Sequence, residues 1–248
     1  AINLNYWQGE RAPTYNSSSS KEYIKVIRHQ LYPGSLYEVY HSGKEGNITY
    51  KFEDGYRNFI TKETYSKGLI KTYSYDGRNN ANKISMFGGA VEALYPTTCE
   101  NRKTCNQPIW TKDAEGHKTY YTYHAESGQI ATITKPTNEQ GIAPETRYTY
   151  VKKYATYKIN SSTDSQSPDG IWLLNSEKHC INSSFSDGTC SNNDEVVTTY
   201  QYNTGNLSLI GTAVTADGKT LRTCYSYDIY GNKIGETLPK ANLSTCSN

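Results

Sequence analysis

The sequence is poor in the residues that build an ordinary core. Among 248 residues the hydrophobic set makes up 35%, with one methionine and four phenylalanines. No apolar run comes near the roughly 20 residues that a membrane-crossing helix needs. The net charge is +2 and no lysine or arginine run stands out. A nucleic-acid grip normally shows as a basic stripe, so no nucleic-acid partner is expected. The N-terminal AINLNYWQGE has neither the basic nor the apolar region of a leader peptide, so it reads as a mature terminus or the cut end of a longer chain. No G-x-S-x-G, H-E-x-x-H or phosphate-loop pattern occurs. His29, His41, His117, His124 and His179 are scattered, with no nucleophile or carboxylate at a telling spacing. The chain therefore reads as non-catalytic, without a cofactor or a metal.

What the chain does have is tyrosine, at 24 positions. Each ring buries a large area but brings a hydroxyl that needs a partner or water. That suits extended sheet with partly hydrated faces, and the aromatic content with near-neutral charge argues against disorder. Short alternating segments recur: ITYKFE (48–53), KTYSY (71–75), YYTYH (120–124), TRYTY (146–150), VVTTYQY (196–202) and TLRTCYSYD (220–228). Ile48, Tyr50 and Phe52 share one face, as a strand requires. Between these segments lie Asp54-Gly55, Asp76-Gly77, Asp169-Gly170, Asp187-Gly188 and Asp217-Gly218, with Gly46-Asn47, Gly205-Asn206 and Gly231-Asn232. Such dipeptides supply the positive φ of tight hairpins. The predicted fold is all-β: consecutive antiparallel β-hairpins in a single sheet region spanning 1–248.

Two polar stretches interrupt the pattern, near 96–108 and 160–195; in the second, IWLLN (171–175) reads as a buried strand. Both carry cysteines. The six cysteines fall into nearby pairs, Cys99 with Cys105, Cys180 with Cys190 and Cys224 with Cys246. No pair has zinc-knuckle spacing, so disulfides are the expected chemistry, in an oxidising compartment. The third pairing is the one that spacing supports least. Secretion or a cell-surface, extracellular or periplasmic place follows as the expectation.

One phrase repeats. Tyr225-x-Tyr227-Asp228 leads to Gly231-Asn232, Ile234 and Pro239. Tyr121-x-Tyr123-His124 leads to Gly128, Ile130, Ile133 and Pro136, and Asp113-x-x-Gly116 precedes it. Tyr200-x-Tyr202-Asn203 leads to Gly205-Asn206 and Leu207, and Tyr73-x-Tyr75-Asp76 leads to Gly77 and Ile84. Tyr148 and Tyr150 open a degenerate fifth copy. Paired tyrosines face one side of a strand, the Asp or Asn starts a turn, glycine permits the reversal, and an aliphatic residue returns to the packed face. Such hairpins are too small to stand alone and must stack.

These units resemble YD repeats, the tyrosine–aspartate repeats of the Rhs family, which includes bacterial polymorphic toxins, shell-forming subunits of insecticidal toxin complexes and the teneurins. The resemblance covers a third to a half of the chain, and His124 and Asn203 depart from the usual aspartate. It implies a curved or spiralling sheet, which in large members coils into a shell around cargo. The repeats here are too few to close such a shell, so the chain reads as a fragment or a short member. The function so implied is an exported scaffold that encloses, displays or docks other components. Its partners would be proteins, the remainder of a longer YD-repeat protein, or further copies joined through sheet edges. A second function is adhesion or carbohydrate binding, with Trp7, Trp110 and Trp172 as stacking residues; the rival reading packs them into the sheet.

Overall fold

The computed structural model describes residues 23–31, 34–43, 46–53, 59–65, 69–86, 88–160, 163–239 and 243–247, the stretch up to residue 53 through its backbone. Trp7, the Ser17–Ser20 run and the Asp54-Gly55 turn lie outside the described residues. The chain divides into two compact units, one of residues 1–95 with 111–116, the other of 96–110 with 117–248.

The first unit contains β1 (Tyr23–Leu31), β2 (Gly34–Gly43), β3 (Gly46–Glu53), β4 (Ile60–Thr64), β5 (Ile70–Tyr75), β6 (Ala81–Met86) and β7 (Gly89–Leu94). Each pairs antiparallel with the next. The boundary between the units cuts the short β8 (Trp110–Lys112).

The second unit continues with β9 (Lys118–Tyr123), β10 (Ile130–Thr134), β11 (Glu145–Lys153), β12 (Thr156–Asn160), β13 (Thr163–Gln166) and β14 (Ile171–Cys180). Then come β15 (Phe185–Ser186), β16 (Thr189–Cys190), β17 (Glu195–Tyr202), β18 (Leu209–Ala216), β19 (Lys219–Tyr227) and β20 (Lys233–Glu236). Its ladder runs β9-β10-β11-β14-β17-β18-β19-β20, antiparallel throughout. β12 with β13, and β15 with β16, form separate two-stranded ribbons. In neither unit does the last strand return to pair with the first among the described residues. The all-β, hairpin-by-hairpin organisation read from the sequence is the organisation of the fold. No helix among the described residues is long and apolar enough to cross a membrane.

All six repeat-bearing segments named above fall on strands, because alternation and β-branched or aromatic residues favour a pleated, half-buried surface. The stretch 160–195 holds more structure than its polarity suggested. IWLLN opens the ten-residue β14, which is half-buried with Ile171 exposed, and not a buried core strand. Truly buried apolar side chains are few among the described residues: Cys105, Cys190, Ile210, Ala213 and Cys246. Three of these five are cysteines, so covalent closure takes over part of what a core would do. Cys99–Cys105, Cys180–Cys190 and Cys224–Cys246 are all bonded. Closing the loop of the third pair removes unfolded-chain entropy equivalent to about 3 kcal/mol. It brings the terminal segment back onto β18, where a side chain at Gly211 would collide with the Cys246 Sγ. Gln201 fixes the same segment, donating to the Cys246 carbonyl at 2.8 Å and accepting from its N–H at 3.2 Å.

Candidate functional site

The Tyr-x-Tyr copies share one hydrogen-bonding scheme. In every copy the second tyrosine donates its hydroxyl to a backbone carbonyl, on the neighbouring strand in four copies and two residues before β8 in the other. Tyr75 reaches Ile60 at 2.7 Å, Tyr123 reaches Pro108 at 2.8 Å and Tyr150 reaches Ile130 at 2.6 Å. Tyr202 reaches Leu174 at 2.8 Å and Tyr227 reaches Leu209 at 2.7 Å. Tyr95, immediately after β7, makes a longer version to Ala81 at 3.3 Å. The hydroxyl is thus satisfied by main chain, and each hairpin is bolted to the one before it.

In two pairs the first tyrosine bonds a side chain three residues beyond that carbonyl: Tyr73 donates to Glu63 at 2.8 Å, and Tyr225 meets the Thr212 hydroxyl at 3.1 Å. Glu177, three residues beyond Leu174, acts on Tyr200 through its charge, second to burial in raising that phenol. Glu63 is buried and also receives the hydroxyl of Tyr65. That bond, with burial and the Glu63 charge, pushes the Tyr65 phenol up to about 12. Burial is the leading cause that raises Tyr75, Tyr95, Tyr148, Tyr150, Tyr200 and Tyr202.

The turns follow a second scheme. The Asp76 Oδ1 accepts the N–H groups of Arg78 at 2.8 Å and Asn80 at 2.9 Å, while Asn80 Nδ2 donates to Oδ2. Asp228 does the same with Tyr230 and Asn232. Partial burial alone would raise the Asp76 carboxyl, but Asn80, Arg78 and the Arg78 charge together hold it below the ordinary aspartate value. The Asn232 side chain and backbone do so at Asp228. Asn138 builds the same five-residue turn between β10 and β11, its Oδ1 accepting from Gln140 and Ile142. That copy lacks a preceding tyrosine and was not visible as a repeat. His124 and Asn203 hold longer turns, closed by His124 N–H to Gln129 and Asn203 N–H to Ser208. Asn203 still accepts two amides, from Gly205 and Asn206, so it serves the turn as aspartate would. At His124 the Ser127 hydroxyl takes over, bonding His124 Nδ1 and receiving the Gln129 N–H.

Positive φ does not always fall on the glycine of the dipeptide. Gly231, Gly128 and Gly141 adopt it, but the first copy uses Asn79 at 69° in place of Gly77, and the third uses Leu207 at 61° in place of Gly205. The reason is turn length: the left-handed residue sits three places after the aspartate in the five-residue turn and four in the longer one. At Asp187-Gly188 and Asp217-Gly218 both residues are left-handed, as a tight two-residue hairpin demands; Gly170 is not.

A third regularity concerns register. The second tyrosine faces the first residue after its turn in four hairpins: Tyr75 with Ala81, Tyr123 with Ile130, Tyr202 with Leu209, Tyr227 with Lys233. A bulge adjoins that pair each time. Bulges bend a strand and re-aim its groups. No sequence signal marked them.

Two of the three tryptophans proposed for stacking, Trp110 and Trp172, are already engaged. Lys118 Nζ lies 4.2 Å above the Trp110 ring, and His124 meets Trp172 edge-on at 4.5 Å between centroids. The cysteine-bearing stretch 96–108 docks on the His124 turn: Asn101 Nδ2 donates to the Ala125 carbonyl at 2.8 Å and Lys103 Nζ to that of Glu126.

No protein family profile matches this sequence, and no curated protein matches it. Among solved structures, the crystal structure of TcdB2-TccC3-TEV aligns over 84% of this chain and 12% of its own, at 12% identity and a TM-score of 0.38. This chain thus spans about an eighth of that one's length, and at that score the alignment carries no argument.

Proposed function

We propose that this chain is a non-catalytic, exported scaffold segment of the YD-repeat class, whose clamped hairpins form a wall that encloses, displays or docks other protein components. The observation that carries this reading is the recurrence of one bond: the second tyrosine of all five Tyr-x-Tyr copies grips a main-chain carbonyl on, or just before, the adjacent strand. The Asp, Asn and His residues that follow four of these pairs serve turn geometry, and the paired tyrosines serve strand-to-strand locking. The second tyrosines and the turn residues thus have structural tasks. Three bonded cysteine pairs suit an oxidising compartment, which supports secretion or cell-surface display.

The test is protease protection in the product of the complete reading frame that carries this chain. A scaffold protects the segments outside 1–248, and the double substitution Tyr202→Phe, Tyr227→Phe reduces that protection. Equal digestion of both proteins would contradict the proposal. A sugar bound specifically on a glycan array, with binding lost in Trp110→Ala, would favour adhesion instead.

A further inference from the structure

The clamp scheme is incomplete at one strand. Three of the four residues that follow a repeat turn have their carbonyl gripped by a tyrosine of the next strand in the ladder: Ala81 by Tyr95, Ile130 by Tyr150 and Leu209 by Tyr227. The fourth is Lys233, the first residue of β20, which pairs only with β19 among the described residues. The second acceptor is repeated there as well. Glu63 and Thr212 lie three residues after the clamped Ile60 and Leu209, and each bonds the first tyrosine of a pair; Glu177, three residues after Leu174, adds its charge beside Tyr200. Three residues after Lys233 stands Glu236, a half-exposed carboxylate whose one ion pair among the described residues is with the Lys233 ammonium.

Burial makes the same point. Ile210 and Ile234 occupy the same bulge position, one residue past the turn's exit in β18 and β20. Ile210, with strands on both sides, is 4% exposed, whereas Ile234 is 67% exposed. Leu238, just beyond, is 70% exposed. Cys246 of the terminal segment sits over Gly211 on β18, away from this edge.

We infer that β20 is a preformed socket for an antiparallel Tyr-x-Tyr strand from a protein built of the same repeat. The incoming second tyrosine donates to the Lys233 carbonyl, the first donates to Glu236, and apolar neighbours cover Ile234 and Leu238. A head-to-tail copy of this chain fits less well: β1, which among the described residues pairs only with β2, reads YIKVIRHQL and offers no Tyr-x-Tyr pair. The inference rests on the scaffold reading and adds the site and the chemistry of one partner.

The probe is the synthetic peptide ETRYTYVKK, the sequence of β11, titrated into the intact oxidised chain and followed by backbone amide NMR shifts. Shifts centred on residues 233–238 are expected. Replacing the peptide's second tyrosine by phenylalanine should weaken binding about fivefold, the worth of one hydrogen bond. Glu236→Ala in the protein should weaken the parent peptide similarly, yet leave a peptide with phenylalanine at its first tyrosine unaffected. Ile234→Lys with Leu238→Lys should abolish binding without altering the fold, both side chains being exposed. Equal affinity for tyrosine and phenylalanine peptides would overturn the inference, as would an absence of shifts at β20. A concentration-dependent dimer that protects β20 and excludes the peptide would overturn the choice of partner. If β20 fails while the internal Tyr→Phe substitutions still weaken the fold, the socket alone is wrong.

Discussion

Asp228 shows how much of this fold hangs on single polar groups. Its carboxylate gathers two backbone amides and the Asn232 side chain, an arrangement that water offers the unfolded chain only in part. The folded pKa is therefore depressed at Asp228, at Asp76, and at Asp194, where the Ser183 hydroxyl is the leading cause. A depressed carboxyl stabilises the fold above the ordinary aspartate value of 3.8, and that stability drains away as pH falls through the folded value. Urea midpoints should accordingly be flat from pH 7 to about 5 and then drop. Asp228→Asn should flatten the part of the drop due to this residue while keeping most of the turn, because Asn203 and Asn138 show that an amide oxygen accepts the same N–H groups. An unchanged acid limb in Asp228→Asn would show that the carboxylate plays no part.

At the scale of the element, the hairpin is the unit, and each turn length sets where its one left-handed residue must stand, three or four places after the Asp, Asn or His. Leu207 occupies the left-handed position that Gly128 fills in the equivalent turn. A non-glycine residue there costs about 1 kcal/mol, so Leu207→Gly should raise the melting midpoint even though it removes a side chain. Gly128→Ala should do the reverse, since its Cβ would lie 2.5 Å from the Lys103 carbonyl oxygen. Lifting the 99–105 loop should release the already exposed Arg102 and Lys103 from the turn that holds them and speed tryptic cleavage there; a parent-like digest of Gly128→Ala would refute the packing. The strands were legible because period-two alternation and Tyr-x-Tyr pairs lie in the sequence itself, whereas the pairing of Cys224 with Cys246, which spacing supported least, is fixed by the fold. The bulges were not legible, because a bulge is a relation between two strands and leaves no mark on either alone. Nor was the shift of positive φ from Gly205 to Leu207, which turn length decides, nor the Asn138 turn, which lacks the tyrosine label. The turn residues Asp76, Asp228 and Gly231 could be read correctly; the carbonyls that complete the clamps could not, since main chain has no letter of its own.

For the whole molecule, a sheet with so few buried aliphatic side chains is held by ladders, disulfides and phenol hydroxyls acting together. Phenols held neutral by burial give the fold an alkaline limit. Where a folded tyrosine pKa is raised, stability is complete below the ordinary value of 10.0 and is lost as pH rises through the folded value. The oxidised chain should unfold progressively above pH 10, with tyrosinate absorbance and loss of sheet circular dichroism rising together; ionisation of all tyrosines at ordinary pH with the sheet intact would contradict this. The account's central claim is that successive hairpins are joined by tyrosine hydroxyls donating to main-chain carbonyls. Its most direct test is the urea unfolding free energy of Tyr75→Phe, Tyr150→Phe, Tyr202→Phe and Tyr227→Phe beside Tyr230→Phe, whose ring is 83% exposed. The account expects each of the four to lose about 1 kcal/mol, the net worth of a hydrogen bond made in the folded state, with Tyr230→Phe unchanged. Five curves that superimpose would contradict it.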